Sequence, residues 1–446
     1  MNGRRTRVVI VGAAGRDFHN FNVAYRGDPA FQVVAFTATQ IPGIAGRRYP
    51  PSLAGTGYPE GIAIVPEAEL DALCRQQAID RVVFSYSDVP HATVMHLAAR
   101  ALAAGADFEL LGPRRTMLAS RRPVIAVSAV RTGCGKSQVS RHIAGLLRQA
   151  GRRAVVVRHP MPYGDLEAQR CQRFATMDDL ATARCTNEER EEYEPHIANG
   201  TTVFAGVDYA DVLAAAEREA DIIVWDGGNN DFPFFRPDLH FCVIDALRPD
   251  QLDTHHPGET ALRMADAVII NKIDAAAQGV ADDMAAAVRR LNPGAIALRA
   301  ASPVRLDEPG RVRGRRVVVV EDGPTITHGG MATGAGFAAA RAAGAEPVDV
   351  RSVAAPALKP VFEQYPHIGP VLPAIGYDAR QLEALAATID AADAEAVISA
   401  TPLDLRRLVT VGKPLVRARY DYADAGEPTL AAVLARFLAG RAGTGR

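Results

Sequence analysis

Residues 131–137 read Arg-Thr-Gly-Cys-Gly-Lys-Ser and directly follow the apolar run PVIAVSAV. Gly135-Lys136-Ser137 is the end of a phosphate-binding loop, although the full pattern asks for glycine at 130, where this chain has Val130. In a strand–loop–helix setting, backbone N–H groups and the N-terminus of the next helix point at a phosphate. The amphipathic stretch QVSRHIAGLLRQAG supplies that helix. Lys136 then reaches the β/γ-phosphates, and the Ser137 hydroxyl suits Mg²⁺. The expected nucleotide contacts are Arg131, Thr132, Gly133, Cys134, Gly135, Lys136, Ser137 and Gln138. Position 130 falls at the end of the strand, whereas Gly133 and Gly135 fall where backbone must approach the phosphates.

Two later segments fit the same chemistry. IIVWDGGNND ends a strand in Asp226, a carboxylate placed to hold Mg²⁺ together with Ser137, with Asp231 as a second acidic candidate. VIINKID presents Asn271, Lys272 and Asp274 just past another strand, the spacing that reads a guanine base and so points to GTP. Arg158, His159 and Tyr163 follow the strand RAVVVRHP, at the strand end where parallel sheets bind ligands; Arg158 and His159 join Lys136 and Asp226 as the catalytic candidates. In the N-terminal GRDFHNFN, the residues Arg16, His19, Asn20 and Asn22 gather donors suited to an anionic small molecule. The segment EDGPTITHGGM, with Glu321, Asp322, Thr325, Thr327 and His328, reads as a further site loop. The acidic stretch at 188–194 reads as a solvated helix.

These residues need an α/β scaffold. RVVIVG, FQVVAFTAT, RVVFSYSD and DFELLGP alternate with helical segments and predict a Rossmann-like N-terminal domain over 1–118. A P-loop domain with a mainly parallel sheet follows over 119–305. Residues 306–446 form a C-terminal α/β region, either continuous with the second sheet or separate from it. The formal net charge of -1 gives no electrostatic reason to expect nucleic acid or a membrane surface as partner. No apolar run reaches the length of a membrane span, and five scattered cysteines fit a reducing cytoplasm. Only four of the 50 basic residues are lysine, and Lys136 and Lys272 both sit in motifs.

With AVRTGCGKS, WDGGNND, NKID and EDGPTITHGGM in that order, and with SYSDVPH, RHPMPYGDL, EEREEYEPH and HPGE between and around them, the chain resembles the cyclic 2,3-diphosphoglycerate synthetase family over nearly its whole length. The resemblance implies a P-loop NTPase akin to dethiobiotin synthetase and the nickel-chaperone GTPases. It further implies formation of an intramolecular phosphoanhydride in an anionic phosphorylated small molecule at the cost of ATP, and a homodimer. The arginine-rich, lysine-poor composition points to a bacterial relative. NKID keeps a second reading open, a regulatory or chaperone-type GTPase acting on a partner protein.

Overall fold

The computed structural model describes residues 4–13, 15–38, 44–159, 164–228, 231–327, 329–374 and 379–442. Three sheets, mostly parallel, organise them. The strand Thr6–Val11 lies inside the first sheet, between Phe31–Ala38 and Arg81–Phe84, with Ile62–Pro66 and Asp107–Leu110 further out. The short strand Arg48–Tyr49 closes one edge and runs antiparallel. The helix His91–Ala103 covers this sheet and ends at Gly105, whose φ of +91° is a left-handed conformation that glycine adopts without a Cβ clash.

The second sheet is centred on Val124–Ala129, the run VIAVSA, in which every residue is buried. A strand apolar on both faces suits a parallel sheet covered by helices on each side. Its neighbours are Ile222–Asp226 on one side and Leu239–Asp245 on the other. Ala154–Arg158 lies beyond the first neighbour and Ala267–Asn271 beyond the second. The connections therefore leave the central strand in opposite directions, which opens a crevice at its C-terminal end. The helix Lys136–Gln149 packs Val139, Ile143 and Leu147, spaced four apart, into the core under this crevice.

The chain leaves this sheet after Ile296–Ala301, builds the third sheet, and returns. Val304–Leu306 pairs antiparallel with Leu415–Tyr420, and just across the junction Ala300 and Ala301 pair with Asp424 and Ala423. The two crossings therefore run side by side as a ribbon. Between them, Arg316–Asp322, Ala396–Ala400 and Leu415–Tyr420 form a parallel core, flanked by Glu346–Pro347 and Leu372–Ala374. After the return, Tyr422, Leu430, Val433 and Leu434 pack into the core of the second sheet. The C-terminal region is thus a separate sheet inserted in the P-loop unit, whose last helix, Leu430–Ala442, rejoins that unit.

Candidate nucleotide and acceptor site

The loop at 130–137 is built as a phosphate cradle. Val130 stays in the sheet and donates its N–H to the Val243 carbonyl. The left-handed turns fall on Gly133, with φ +82°, and Gly135, with φ +101°. A side chain on Gly135 would begin 2.2 Å from the Asn271 amide, so glycine is required there on steric grounds as well. Val130 is therefore compatible with the loop, because it sits one residue past the strand Val124–Ala129, still bonded to the neighbouring strand and without the positive φ that calls for glycine.

Asn271 and Lys272 brace this loop. The Asn271 amide donates to the Cys134 carbonyl at 2.8 Å, and Lys272 Nζ donates to the Gly133 carbonyl and to Asp245 at 2.6 and 2.7 Å. Arg248 adds a third brace: it donates to the Thr132 carbonyl and to Asp245, and reaches across to the Gly329 carbonyl of the third sheet. Asp274 lines the cavity while accepting from the Ser302 N–H. Gln138 also bonds Ser302. Asn271 and Lys272, expected to face a base, both donate to the loop backbone, and Lys272 and Asp274 also line the cavity whereas Asn271 does not. Cys134 is buried as loop filling, with burial raising its thiol pKa.

Asp226 is fully buried at the end of its strand and meets two cations, Lys136 at 2.6 Å and Arg158 at 2.7 Å, and the His196 ring at 3.0 Å. Burial opposes its ionisation, but Arg158, Lys136 and His196 outweigh burial and hold the carboxyl well below the usual range. Burial, reinforced by Arg158, lowers Lys136 to about 8. Burial also lowers His196, so its neutral ring donates Nε2–H to Asp226. Arg158 reaches Glu192 on its other side. The expected pairing of Ser137 with Asp226 as a magnesium site fits only in part. Ser137 lines the cavity and suits an ion carried in with the nucleotide, whereas both Asp226 oxygens are already taken by cations. Among the described residues no cluster of His, Cys, Asp and Glu could hold a metal.

The N-terminal donors do not reach this site. Arg16 is buried against Asp231 at 2.7 Å and lies 3.9 Å from the centre of the Phe232 ring. His19 stacks on Phe234 at 4.2 Å and donates to the Thr116 carbonyl, and burial lowers it to about 3. Asn20 bonds Ser85, and Asn22 bonds Tyr49 and the Val207 carbonyl. These side chains, expected to be substrate ligands, lie against the aromatic run of the second unit and do not line the cavity, while Arg16 Nη1, His19 Nδ1 and Asn20 Oδ1 are buried without a hydrogen-bond partner among the described residues. His159 stands between the two, 3.7 Å from Asp231 and against Gly15 and Gly228, rather than in the cavity. Arg131 and Thr132 lie on the cavity wall, but both also bind Asp88 of the first unit, at 2.7 and 2.6 Å. Tyr163 and His328 lie outside the described residues.

A cavity of about 410 Å³ joins these parts. Its floor is the loop from Arg131 to Gln138 with Arg141, Arg158 and Lys272, and its roof comes from the third sheet, with Glu321, Asp322, Thr325, Thr333 and Tyr420. The two parallel sheets thus present their C-terminal edges to one cavity. Glu321 is pinned by the N–H groups of Gly334, Gly336 and Phe337, and burial raises it to about 7. Asp88, Glu192, His196, Asp245 and Arg248 are site residues that the motifs did not single out. Asp245 and Asp88 carried a signal, since each closes an apolar strand run, and Asp88, Glu192 and His196 fall in segments that carry the family resemblance without a role assigned to them.

One relative spans the molecule. The arginine synthetase ArcE of Thermococcus kodakarensis is 55% identical over 432 residues, 97% of this chain and 96% of its own length. The chain belongs to the arginine synthetase ArcE family. That name differs from the cyclic 2,3-diphosphoglycerate synthetases that the motifs resemble, and it gives the expected bacterial source no support. No family model matches the chain. Among solved structures, LpxK of Aquifex aeolicus in complex with ATP aligns with 72% of this chain and 90% of its own at 12% identity and a TM-score of 0.42. The hydrogenase maturation factor HypB of Archaeoglobus fulgidus aligns with 40% and 81% at 13% identity and a TM-score of 0.27. Among the described residues no helix is long and apolar enough to cross a membrane.

Proposed function

We propose that the protein is a nucleotide-driven synthetase that forms arginine, with ATP and its Mg²⁺ bound on the 131–138 loop. The observation that carries this reading is the cavity itself, which sets a phosphate cradle with Lys136 opposite an acidic roof. An acceptor already bearing phosphates and a carboxylate would meet Glu191, Glu192, Glu321 and Asp322 on the cavity wall, whereas a ureido or guanidinium group is suited to such a wall. The full-length relative named arginine synthetase points the same way.

A P-loop directs chemistry to the terminal phosphate. Arginine differs from its ureido analogue in one nitrogen replacing oxygen. The ureido oxygen attacks the γ-phosphorus, an O–P bond forms, and the bond to the β-phosphate oxygen breaks, releasing ADP. Ammonia then attacks the ureido carbon, the C–O bond breaks, and inorganic phosphate leaves carrying that oxygen. Lys136 and Arg158 neutralise charge on the phosphoryl group, and Asp226 keeps both aligned. The test incubates the protein with ATP, ammonium and the ureido amino acid. Arginine, ADP and phosphate in equal amounts are expected; nucleotide hydrolysis that ignores the ureido acid would favour a GTPase-like switch. Including 2,3-diphosphoglycerate in a parallel reaction, read by phosphorus spectra, checks the cyclic product.

A further inference from the structure

Resting on the arginine-forming reading, we infer that Asp322 is the group that grips the ureido or guanidinium end of the substrate and aims it at the terminal phosphate. Asp322 ends the central strand of the third sheet and opens the short helix Gly323–Ile326. Its Oδ2 is committed to that helix, accepting the Thr325 hydroxyl and the Thr325 N–H. Among the described residues its other oxygen has no hydrogen-bond partner, and Asp322 lines the cavity. Thr325 fixes where this carboxylate stands relative to the nucleotide. Its side-chain atoms lie 3.2 and 3.4 Å from the point where a side chain on Gly133 would begin, so the Asp322–Thr325 unit rests directly on the phosphate loop.

The other acids of the wall differ in place: Glu191 and Glu192 come from the helix Asn187–Ala198 and Asp274 from the second sheet, and of the two roof acids only Asp322 keeps an oxygen open. Glu321 accepts from three backbone donors, Glu192 pairs with Arg158, and Asp274 accepts from Ser302 beside Lys272. A carboxylate with one oxygen fixed and one open, set above a phosphate cradle, is the chemistry that takes a terminal amide or guanidinium N–H. When the ureido oxygen bonds to phosphorus, positive charge spreads over the attached nitrogens, and a facing carboxylate stabilises it. In the reverse direction the same carboxylate receives the guanidinium of arginine. Burial raises the Asp322 carboxyl, which strengthens it as an acceptor.

The competing role is a helix cap alone, and one substitution separates the two. Asparagine caps a helix as well as aspartate and keeps the carbonyl that Thr325 donates to. Asp322→Asn in the full chain is therefore expected to keep its melting temperature and its affinity for ATP. It should raise the KM for the ureido acid, and the KM for arginine with ADP and phosphate, by roughly 10- to 100-fold. It should also lower kcat. Unchanged KM and kcat, or a fall in ATP affinity matching the loss of turnover, would overturn the assignment. Calorimetry of arginine binding with ADP present keeps this test apart from the catalytic reading. Arginine bound by the wild type but at least tenfold more weakly by Asp322→Asn supports Asp322 even if no turnover is seen, in which case the reaction, not the residue, is wrong. No arginine binding, or equal binding by both proteins, overturns it.

Discussion

Lys136 and Asp226 show how charges at one point set the conditions under which the site works. Lys136 is a buried ammonium lowered to about 8 by burial and by Arg158, so it loses its proton as pH rises through that value in the free protein. Efficiency with the nucleotide, kcat/KM for ATP, is expected to fall about tenfold per pH unit above pH 8. Saturating ATP should move that limb upward, because bound phosphate favours the charged amine. Asp226, itself fully buried, offsets the Arg158 guanidinium and the Lys136 ammonium. Asp226→Asn removes the charge at constant size and is expected to cost about 3–5 kcal/mol in stability, read by chemical denaturation, together with turnover. The sequence revealed Lys136 and Asp226 because a phosphate loop and a strand-end carboxylate have fixed spacings. It hid His196, which lies in a stretch so acidic that it reads as solvent-facing, whereas the helix Asn187–Ala198 turns His196 and Glu192 inward.

At the scale of the element, the phosphate loop owes its shape to what surrounds it. Val130 holds its place in the sheet, and the Gly258 backbone packs so closely that a side chain there would begin 2.2 Å from the Val130 carbonyl. Restoring the usual glycine with Val130→Gly is expected to add no activity and to lower stability by about 1–3 kcal/mol, through a lost buried side chain and a freer unfolded chain. Arg248 ties the loop to both Asp245 and the third sheet. Arg248→Met retains much of the side-chain volume and removes those donors; the Kd for ATP should rise roughly tenfold or more, measured by titration calorimetry. The parallel strands were readable from unbroken apolar runs such as VIAVSA and VVVVE, and their loops from Gly and Asp at strand ends. Loop braces such as Arg248 were not readable, because an arginine three residues past a strand carries no local mark of the distant carbonyls it meets.

For the whole molecule, the N-terminal sheet, expected to offer donors to an anion, is tied to the second unit through those same residues. Its donors Arg16 and His19 matched anion chemistry by type, and nothing local showed that Phe232 and Phe234 would occupy the same crevice. Arg16→Met is thus expected to leave the KM for ATP within twofold and to lower the melting temperature, since Asp231 is left buried without its partner. His19 is held neutral, with its folded pKa near 3 below the ordinary 6.5. Below pH 6.5 the unfolded chain takes up a proton that the folded state refuses, so this group's contribution is lost as pH falls toward 3. His19→Gln should flatten that part of the stability profile in acid denaturation. The paired crossing strands carry a different consequence. Because Val304 faces Tyr420 across the ribbon, a short turn between them could replace everything in between without parting the rest of the chain. Such a ring-closed remnant would keep the nucleotide cradle and lose its roof, so it should still take up ATP while spending it on water. On the proposed reading the third sheet is in that sense a cartridge, and exchanging it is a route to a new product on an old motor.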